Sequence, residues 1–367
     1  MPDSAHANFE EIVASLFPGA RIKAIAQLGS TAPMQAPVEK IAGYGAPLRI
    51  SIRRADGVEV DLVFRTATAN DYGHDRRSDR AGGQLLAYDT FGSIPRHVQP
   101  VDVGAISATG RLVSLRDSSE FYLVTTYAPG RLYAEDLREA AKHGATPTAL
   151  ARAAGLARYL VDLHSDRRPR PAGYRRSVRD LLGHGEGIFG VIDGYPESVP
   201  GAPASRLRAI EERVVEWRWK LRDRESRFTR THGDFHPFNI VFQDETDFAL
   251  LDTSRGSEGE AADDVCCLAV NYVFFALGGP HAAAKRAWER GLRPLWSTFW
   301  DTYLEGSSDR ALLDVAAPFL TWRLLVLASP VWYRGLSESD RDKLLSFAER
   351  ALLHDRFDPL WADEIFA

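Results

Sequence analysis

Between Thr231 and Asp252 the chain reads THGDFHPFNIVFQDETDFALLD, and this stretch restricts the fold more tightly than any other. Pro237 forbids a helix through it, so Asp234 is expected on a loop. Ile240-Val241-Phe242 starts a strand, and Asn239 to Gln243 and Phe248-Ala249-Leu250-Leu251 read as the two strands of a hairpin. Asn239 stands five positions after Asp234, and Asp252 thirteen positions after Asn239. The hairpin is expected to bring Asn239 and Asp252 side by side despite that separation. A hydroxyl-orienting carboxylate, an amide oxygen and a second carboxylate are the parts that metal-assisted phosphoryl transfer requires. In this reading Asp234 is the catalytic residue, aligning an acceptor hydroxyl with the γ-phosphorus of ATP. Asn239 and Asp252 are the metal ligands. Few and hard oxygen ligands suit Mg²⁺, which keeps its waters and uses the nucleotide's own oxygens. A rival reading takes His232-x-Asp234-x-His236 as a transition-metal cluster of a hydrolase. That reading needs further ligands, and His281 and His354 lie in helical segments without a partner motif.

The residues before this stretch carry most of the β signal. Asn8 to Leu16 has helical apolar spacing, and Arg21 to Leu28 alternates as a strand does. Leu48 to Arg53 and Val58 to Arg65 flank the turn Ala55-Asp56-Gly57 and read as a hairpin. Val58, Val60, Leu62 and Phe64 share one face of its second strand, with Arg65 at the end on the other face. Gly43 and Gly45 precede the hairpin and could let backbone amides approach phosphates. Ser78 to Phe91 reads as a helix burying Leu85, Leu86 and Tyr88. His97 to Val103, Arg111 to Leu115 and Phe121 to Thr125 read as short strands.

Pro129-Gly130 marks a hinge, and beyond it the pattern is helical. Helices are expected over Ala134 to His143, Pro147 to His164 and a long amphipathic run through Leu207, Ile210, Val214, Trp217 and Leu221. Ser165 to about Ala204 reads as a loop with one short helix near Val178 to Leu182. Further helices follow at Asp264 to Leu277, His281 to Tyr303, Leu312 to Leu327 and Ser337 to Leu353. Strand-rich and helix-rich halves that separate this cleanly define an α+β organisation. The expected domains are a β-rich nucleotide-binding lobe over residues 1–127 and a helical lobe with the catalytic loop over residues 128–367.

With 367 residues, 45% of them hydrophobic and 26% charged, the chain has room for both lobes. A net charge of −5 leaves no electrostatic footprint for nucleic acid or an anionic membrane. The apolar runs Val265 to Leu277 and Pro318 to Tyr333 are interrupted by Asn271 and Arg323 and are too short to span a bilayer of about 20 helical residues. Cys266 and Cys267 are adjacent, which neither disulfide geometry nor a zinc site accommodates, so buried thiols are expected. The N-terminal MPDSAHANFEEIV lacks the basic and apolar regions of a signal peptide. A cytoplasmic protein is the expectation.

HGDFHPFNIVF…LLD, followed by Gly259-Glu260-Ala261-Ala262-Asp263-Asp264-Val265, resembles the aminoglycoside phosphotransferase family, which shares the protein-kinase-like fold with choline, homoserine and fructosamine kinases. The family carries H-G-D-x-x-x-x-N and a downstream G-D-x-x-x-D-L, from which Glu260 and Val265 depart here. The resemblance implies a bilobal, protein-kinase-like fold and an ATP- and Mg²⁺-dependent transfer to a hydroxyl of a small molecule: an antibiotic such as an aminoglycoside, a sugar or an amino alcohol. It implies that Asp264 ties the catalytic loop to the next helix, that Arg65 contacts the α/β-phosphates, and that hinge backbone near Thr126 and Ala128 meets the adenine. In kinases a glutamate on the helix after this strand orients the cation; here that region reads Ala81-Gly82-Gly83-Gln84-Leu85-Leu86, leaving Gln84 or Asp79 as substitutes. The missing glutamate motivates an alternative, a weak or inactive kinase-like nucleotide-binding protein. Gly233 replaces the arginine of kinases regulated by activation-loop phosphorylation. His164, Trp322, Trp332 and Tyr333 read as packing residues.

Overall fold

The computed structural model describes residues 2–28, 47–253 and 255–367. They form two compact units, Met1–Thr125 and Thr126–Ala367. Gly43 and Gly45 lie outside the described residues.

In the first unit a helix α1 (Pro2–Leu16) precedes the strands β1 (Arg21–Gln27), β2 (Leu48–Arg53) and β3 (Glu59–Phe64), which form an antiparallel sheet in that order. Phe9 and Val13 of α1 pack with Ile50 and Ile52 of β2 in a small core, where the Phe9 and Phe64 rings meet edge to face at 5.0 Å. The β2–β3 turn closes through hydrogen bonds from Gly57 N–H to the Arg54 carbonyl and from Arg54 N–H to the Val58 carbonyl, both at 2.9 Å. Val60, Leu62 and Phe64 face the core as their alternation requires. Val58 falls in the turn and is half exposed, so it leaves the face expected for it.

A helix α2 (Arg77–Phe91) follows, and none of its residues is buried; Leu86 is 64% exposed where burial was expected. The strands β4 (Gly104–Ile106) and β5 (Leu112–Ser114) form a hairpin. Two expected strands are absent. His97 to Val103 is irregular up to the start of β4, and Pro100 within it has no N–H for a ladder. Phe121 to Thr125 is irregular, without a strand partner among the described residues, its Tyr122 91% exposed. Apolar, β-prone residues do not make a strand without an edge to pair with.

The second unit begins with β6 (Arg131–Leu132), α3 (Tyr133–His143) and α4 (Pro147–Ser165). Gly130 enters β6 at φ +141°, where a Cβ would lie 2.3 Å from the Phe242 carbonyl oxygen. Only glycine lets the hinge approach that strand so closely. Thr146 caps α4, its hydroxyl accepting from Ala149 N–H at 3.1 Å, with Pro147 in the first turn.

The segment expected as a loop instead contains α5 (Pro171–Gly183) and α6 (Ile188–Asp193). Its Arg-, Gly- and Pro-rich composition hides an apolar stripe of Tyr174, Val178, Leu181 and Leu182, all buried, and Pro171 starts the helix. Next come α7 (Ala204–Leu221) and four short strands, β7 (Phe228–Arg230), β8 (Ile240–Phe242), β9 (Phe248–Leu250) and β10 (Glu258–Glu260). The sheet order is β6-β8-β9, and β7 pairs separately with β10.

Five helices complete the unit: α8 (Ala261–Ala276), α9 (His281–Ala287), α10 (Arg293–Ser307), α11 (Ala316–Ala328) and α12 (Glu338–Leu353). The single helix expected over His281 to Tyr303 is broken by a π turn at Trp288–Leu292. Pro294 has no N–H to give the Arg290 carbonyl, which accepts from Ala145 N–H instead at 2.8 Å. One continuous core joins α3, α4, α8, α10, α11 and α12, with Trp217, Trp300, Tyr272 and Tyr303 fully buried. Cys266 and Cys267 are buried free thiols, raised well above the usual thiol range by burial. Among the described residues no helix is long and apolar enough to cross a membrane.

Candidate active site

The β7–β10 pair and the β8–β9 hairpin hold a loop between them, and the loop carries Asp234. Register pairs Ile240 with Leu250, and Leu251 N–H donates to the Asn239 carbonyl at 2.9 Å, so the hairpin brings Asn239 beside Asp252. The Asn239 side-chain amide donates to the Asp252 carbonyl at 3.3 Å, to the Asp234 carbonyl at 3.1 Å and to Asp234 Oδ2 at 3.3 Å. With its nitrogen so engaged, the amide keeps its oxygen as a hard ligand atom. Asp252 is exposed, and its Oδ1 accepts from Thr253 N–H at 3.0 Å. An amide oxygen and a carboxylate held together, with room for water and phosphate oxygens, fit Mg²⁺.

The loop is fixed from below by Asp264, buried in the first turn of α8. It accepts from His232 N–H at 2.7 Å, Gly233 N–H at 2.8 Å and the His164 ring at 3.2 Å. Burial alone would raise its carboxyl; the His164 ring and the two backbone donors outweigh it and hold the group below the usual carboxylate range. His164 also meets the Tyr303 hydroxyl at 2.8 Å. Gly233 sits at φ +84°, with a built Cβ 3.1 Å from the Gly256 carbonyl oxygen. The backbone conformation therefore selects glycine at this position.

Asp234 itself is 22% exposed. Its Oδ1 accepts from Arg323 Nη1 at 2.7 Å, and its Oδ2 lies 3.4 Å from His236 Nε2. Burial would raise this carboxyl too, but His236 and Arg323 hold it far below the usual range. A carboxylate with one oxygen partly open can accept a hydrogen bond from a hydroxyl and aim it. His232 turns its Nδ1 toward Asp234 N–H at 3.3 Å, and burial lowers its pKa. Among the described residues no group of three His, Cys, Asp or Glu side chains is placed to hold a metal, so the hydrolase reading gains no ligand set.

Arg323 was legible only as a charge interrupting the apolar run of α11. Its Nη2 also donates to the Gly233 carbonyl at 3.1 Å and to Asp263 Oδ1 at 2.9 Å, contacts that no local spacing predicts. Arg255 reaches the same two partners, the Gly233 carbonyl at 2.5 Å and Asp263 Oδ2 at 2.6 Å. Glu260, which departs from the family pattern, is buried and receives both Nε and Nη2 of Arg227 at 2.9 to 3.0 Å. Trp322 is core, as read, but Trp332 is 54% exposed and lies on the segment after α11. Tyr333, on that segment, packs on Phe274 with ring centroids 4.7 Å apart.

In the first unit Arg65 follows β3, exposed, with its guanidinium 5.2 Å from the Phe91 ring centre. Among the described residues it has no carboxylate within ion-pair distance. Asp79 accepts from Arg76 N–H at 2.9 Å in a cap of α2. Thr126 is exposed and Ala128 half-buried, both in irregular backbone leading into β6.

The first unit carries the β1–β3 sheet and the second is mostly helical. The chain belongs to the phosphotransferase enzyme family, whose model matches residues 96–297. It is a phosphotransferase. No curated protein matches it. Among solved structures it is similar to a glucosamine kinase, at 16% identity and a TM-score of 0.42 over 93% of this chain and 94% of that one. A choline kinase from Cryptosporidium parvum Iowa II is 10% identical, with a TM-score of 0.36 over 95% and 94% of the two chains. An ADP-bound aminoglycoside phosphotransferase is 11% identical, with a TM-score of 0.34 over 98% of each.

Proposed function

We propose that the protein transfers the γ-phosphate of ATP, with Mg²⁺, to a hydroxyl of a small molecule. The observation that supports this most directly is the Asn239 amide, which links the half-open carboxylate of Asp234 to the Asp252 backbone. Asp234 orients the acceptor hydroxyl and takes its proton as the oxygen bonds to the γ-phosphorus. The bond from that phosphorus to the β–γ bridging oxygen breaks, and ADP leaves. Asn239 and Asp252 would hold Mg²⁺, which supplies charge neutralisation on the phosphates. Arg65 contributes a cation to the α/β-phosphates, where a guanidinium fork matches the oxygens. Backbone near Thr126 and Ala128 meets the adenine.

The acceptor is an antibiotic, a sugar or an amino alcohol, and ADP release against a panel of these identifies it. Asp234→Ala should abolish transfer while calorimetry still shows Mg·ATP binding; undiminished turnover in that variant refutes the role. A second reading, slow turnover, is favoured by one observation: Arg65 lacks a carboxylate partner among the described residues. Substituting Gln84→Glu would then raise kcat. An unchanged kcat sets that reading aside.

A further inference from the structure

Arg323 is the most deeply placed cation in contact with the catalytic loop. It is 7% exposed and belongs to α11, a helix whose other residues are nearly all apolar and buried. Carrying a guanidinium there is costly unless its charge and donors are matched. Asp234 and Asp263 supply two opposite charges, and the Gly233 carbonyl a further acceptor. The face of the guanidinium lies 3.6 Å from the centre of the Trp322 ring. That ring is held by its own N–H, donated to the Glu186 carbonyl at 2.8 Å, and it also carries Arg255 at 4.0 Å. The guanidinium is thus held between the Trp322 ring and three acceptors.

The two oxygens of Asp234 have different surroundings as a result. Oδ1 takes the 2.7 Å bond from Arg323, with Cys267 Sγ of α8 also 4.0 Å away. Among the described residues Oδ2 has only the longer contacts, 3.3 Å to the Asn239 amide and 3.4 Å to His236 Nε2. A carboxylate pinned through one oxygen cannot turn freely about its Cβ–Cγ bond. Resting on the reading of Asp234 as the acceptor-orienting group, we propose that Arg323 is a positioning residue: by engaging Oδ1 it presents Oδ2 to the acceptor hydroxyl. The link from α11 through Arg323 to Asp234 therefore sets the direction of attack.

The test compares Arg323→Met, Arg323→Lys and Arg323→Ala with the wild type. Mg·ATP affinity is measured by calorimetry, and ADP release from Mg·ATP is followed with water as acceptor. In Arg323→Met the rate should fall by about 10²-fold, the scale of a ~1 Å misplacement, while Mg·ATP affinity is unchanged. Arg323→Lys keeps the charge but cannot reach three acceptors at once, so it should lie between. Added methylguanidinium should restore part of the rate of Arg323→Ala, an effect that a merely structural arginine does not give. A wild-type rate in Arg323→Lys overturns the proposal; so does a loss of Mg·ATP affinity in step with rate, or an Arg323→Ala variant that methylguanidinium does not help. If Arg323→Met fails to fold, the lysine and rescue results decide alone. Turnover by Asp234→Ala would refute the reading of Asp234 itself. Inactivity of that variant beside wild-type rates at position 323 would refute only the role of Arg323.

Discussion

Asp264, fully buried in the first turn of α8, accepts hydrogen bonds from the backbone N–H groups of both His232 and Gly233, at 2.7 and 2.8 Å. A carboxylate with two oxygens, reading two successive amides, fixes both the height and the rotation of the loop that carries Asp234. Replacing it by alanine leaves two buried donors and His164 without their acceptor. Each orphaned group costs about 1–3 kcal/mol. Asp264→Ala should therefore lower the unfolding midpoint in urea strongly and abolish turnover. A variant with wild-type stability would contradict this account of the loop.

Arg227 stands between two acidic partners, Glu260 with both oxygens and Asp309 at 2.9 and 3.0 Å. Arg167 adds a contact to Asp309 at 3.1 Å, and the Tyr174 hydroxyl one to Glu260 at 3.2 Å. Removing the central cation strands a buried carboxylate, which costs about 3–5 kcal/mol. Arg227→Met should lose that much stability in denaturant unfolding. The double variant with Glu260→Gln should recover part of it.

Stability should also respond to acid. In Asp264 and Asp309, burial acts to raise the carboxyl, but the partners outweigh it and lower both groups. For Asp309 those partners are the Arg227 and Arg167 guanidiniums. A depressed folded-state value means that the contribution is fully present above the unfolded carboxylate value of about 3.9 and is lost as pH falls through the folded values. Urea midpoints should be flat for these groups near neutrality and fall below about pH 4. Asp309→Asn should flatten that acid limb.

Asn239→Ala removes an amide that touches Asp234 and Asp252 together. If Asn239 holds the metal, the Mg²⁺ concentration for half-maximal rate should rise by at least the ~10–100-fold that even outer-shell substitutions cost. An unchanged Mg²⁺ dependence would remove it from the ligand set.

Much of this site was legible because it is local. His232 to Asn239 and the hairpin to Asp252 lie within one short stretch, where proline position and strand alternation act on near neighbours. The same holds for the β2–β3 turn and the main helices. Reading failed where partners are distant or unpatterned. Strands β7 and β10 are three residues each and exist because they pair with one another. Phe121 to Thr125 has strand composition and no edge to join among the described residues. The stripe of α5 lay beneath a composition that suggests a loop.

The sequence by itself determined that Asp234 stands on a loop, that Asn239 and Asp252 meet across a hairpin, and that the chain beyond Gly130 is mostly helical. These follow from chain connectivity and side-chain period, which act over a few residues. Tertiary structure alone decided that Arg323, 89 positions from Asp234, would hold its Oδ1, and that Glu260 would receive Arg227. A buried charge must find its counter-charge wherever packing brings one, and packing is a property of the folded chain as a whole.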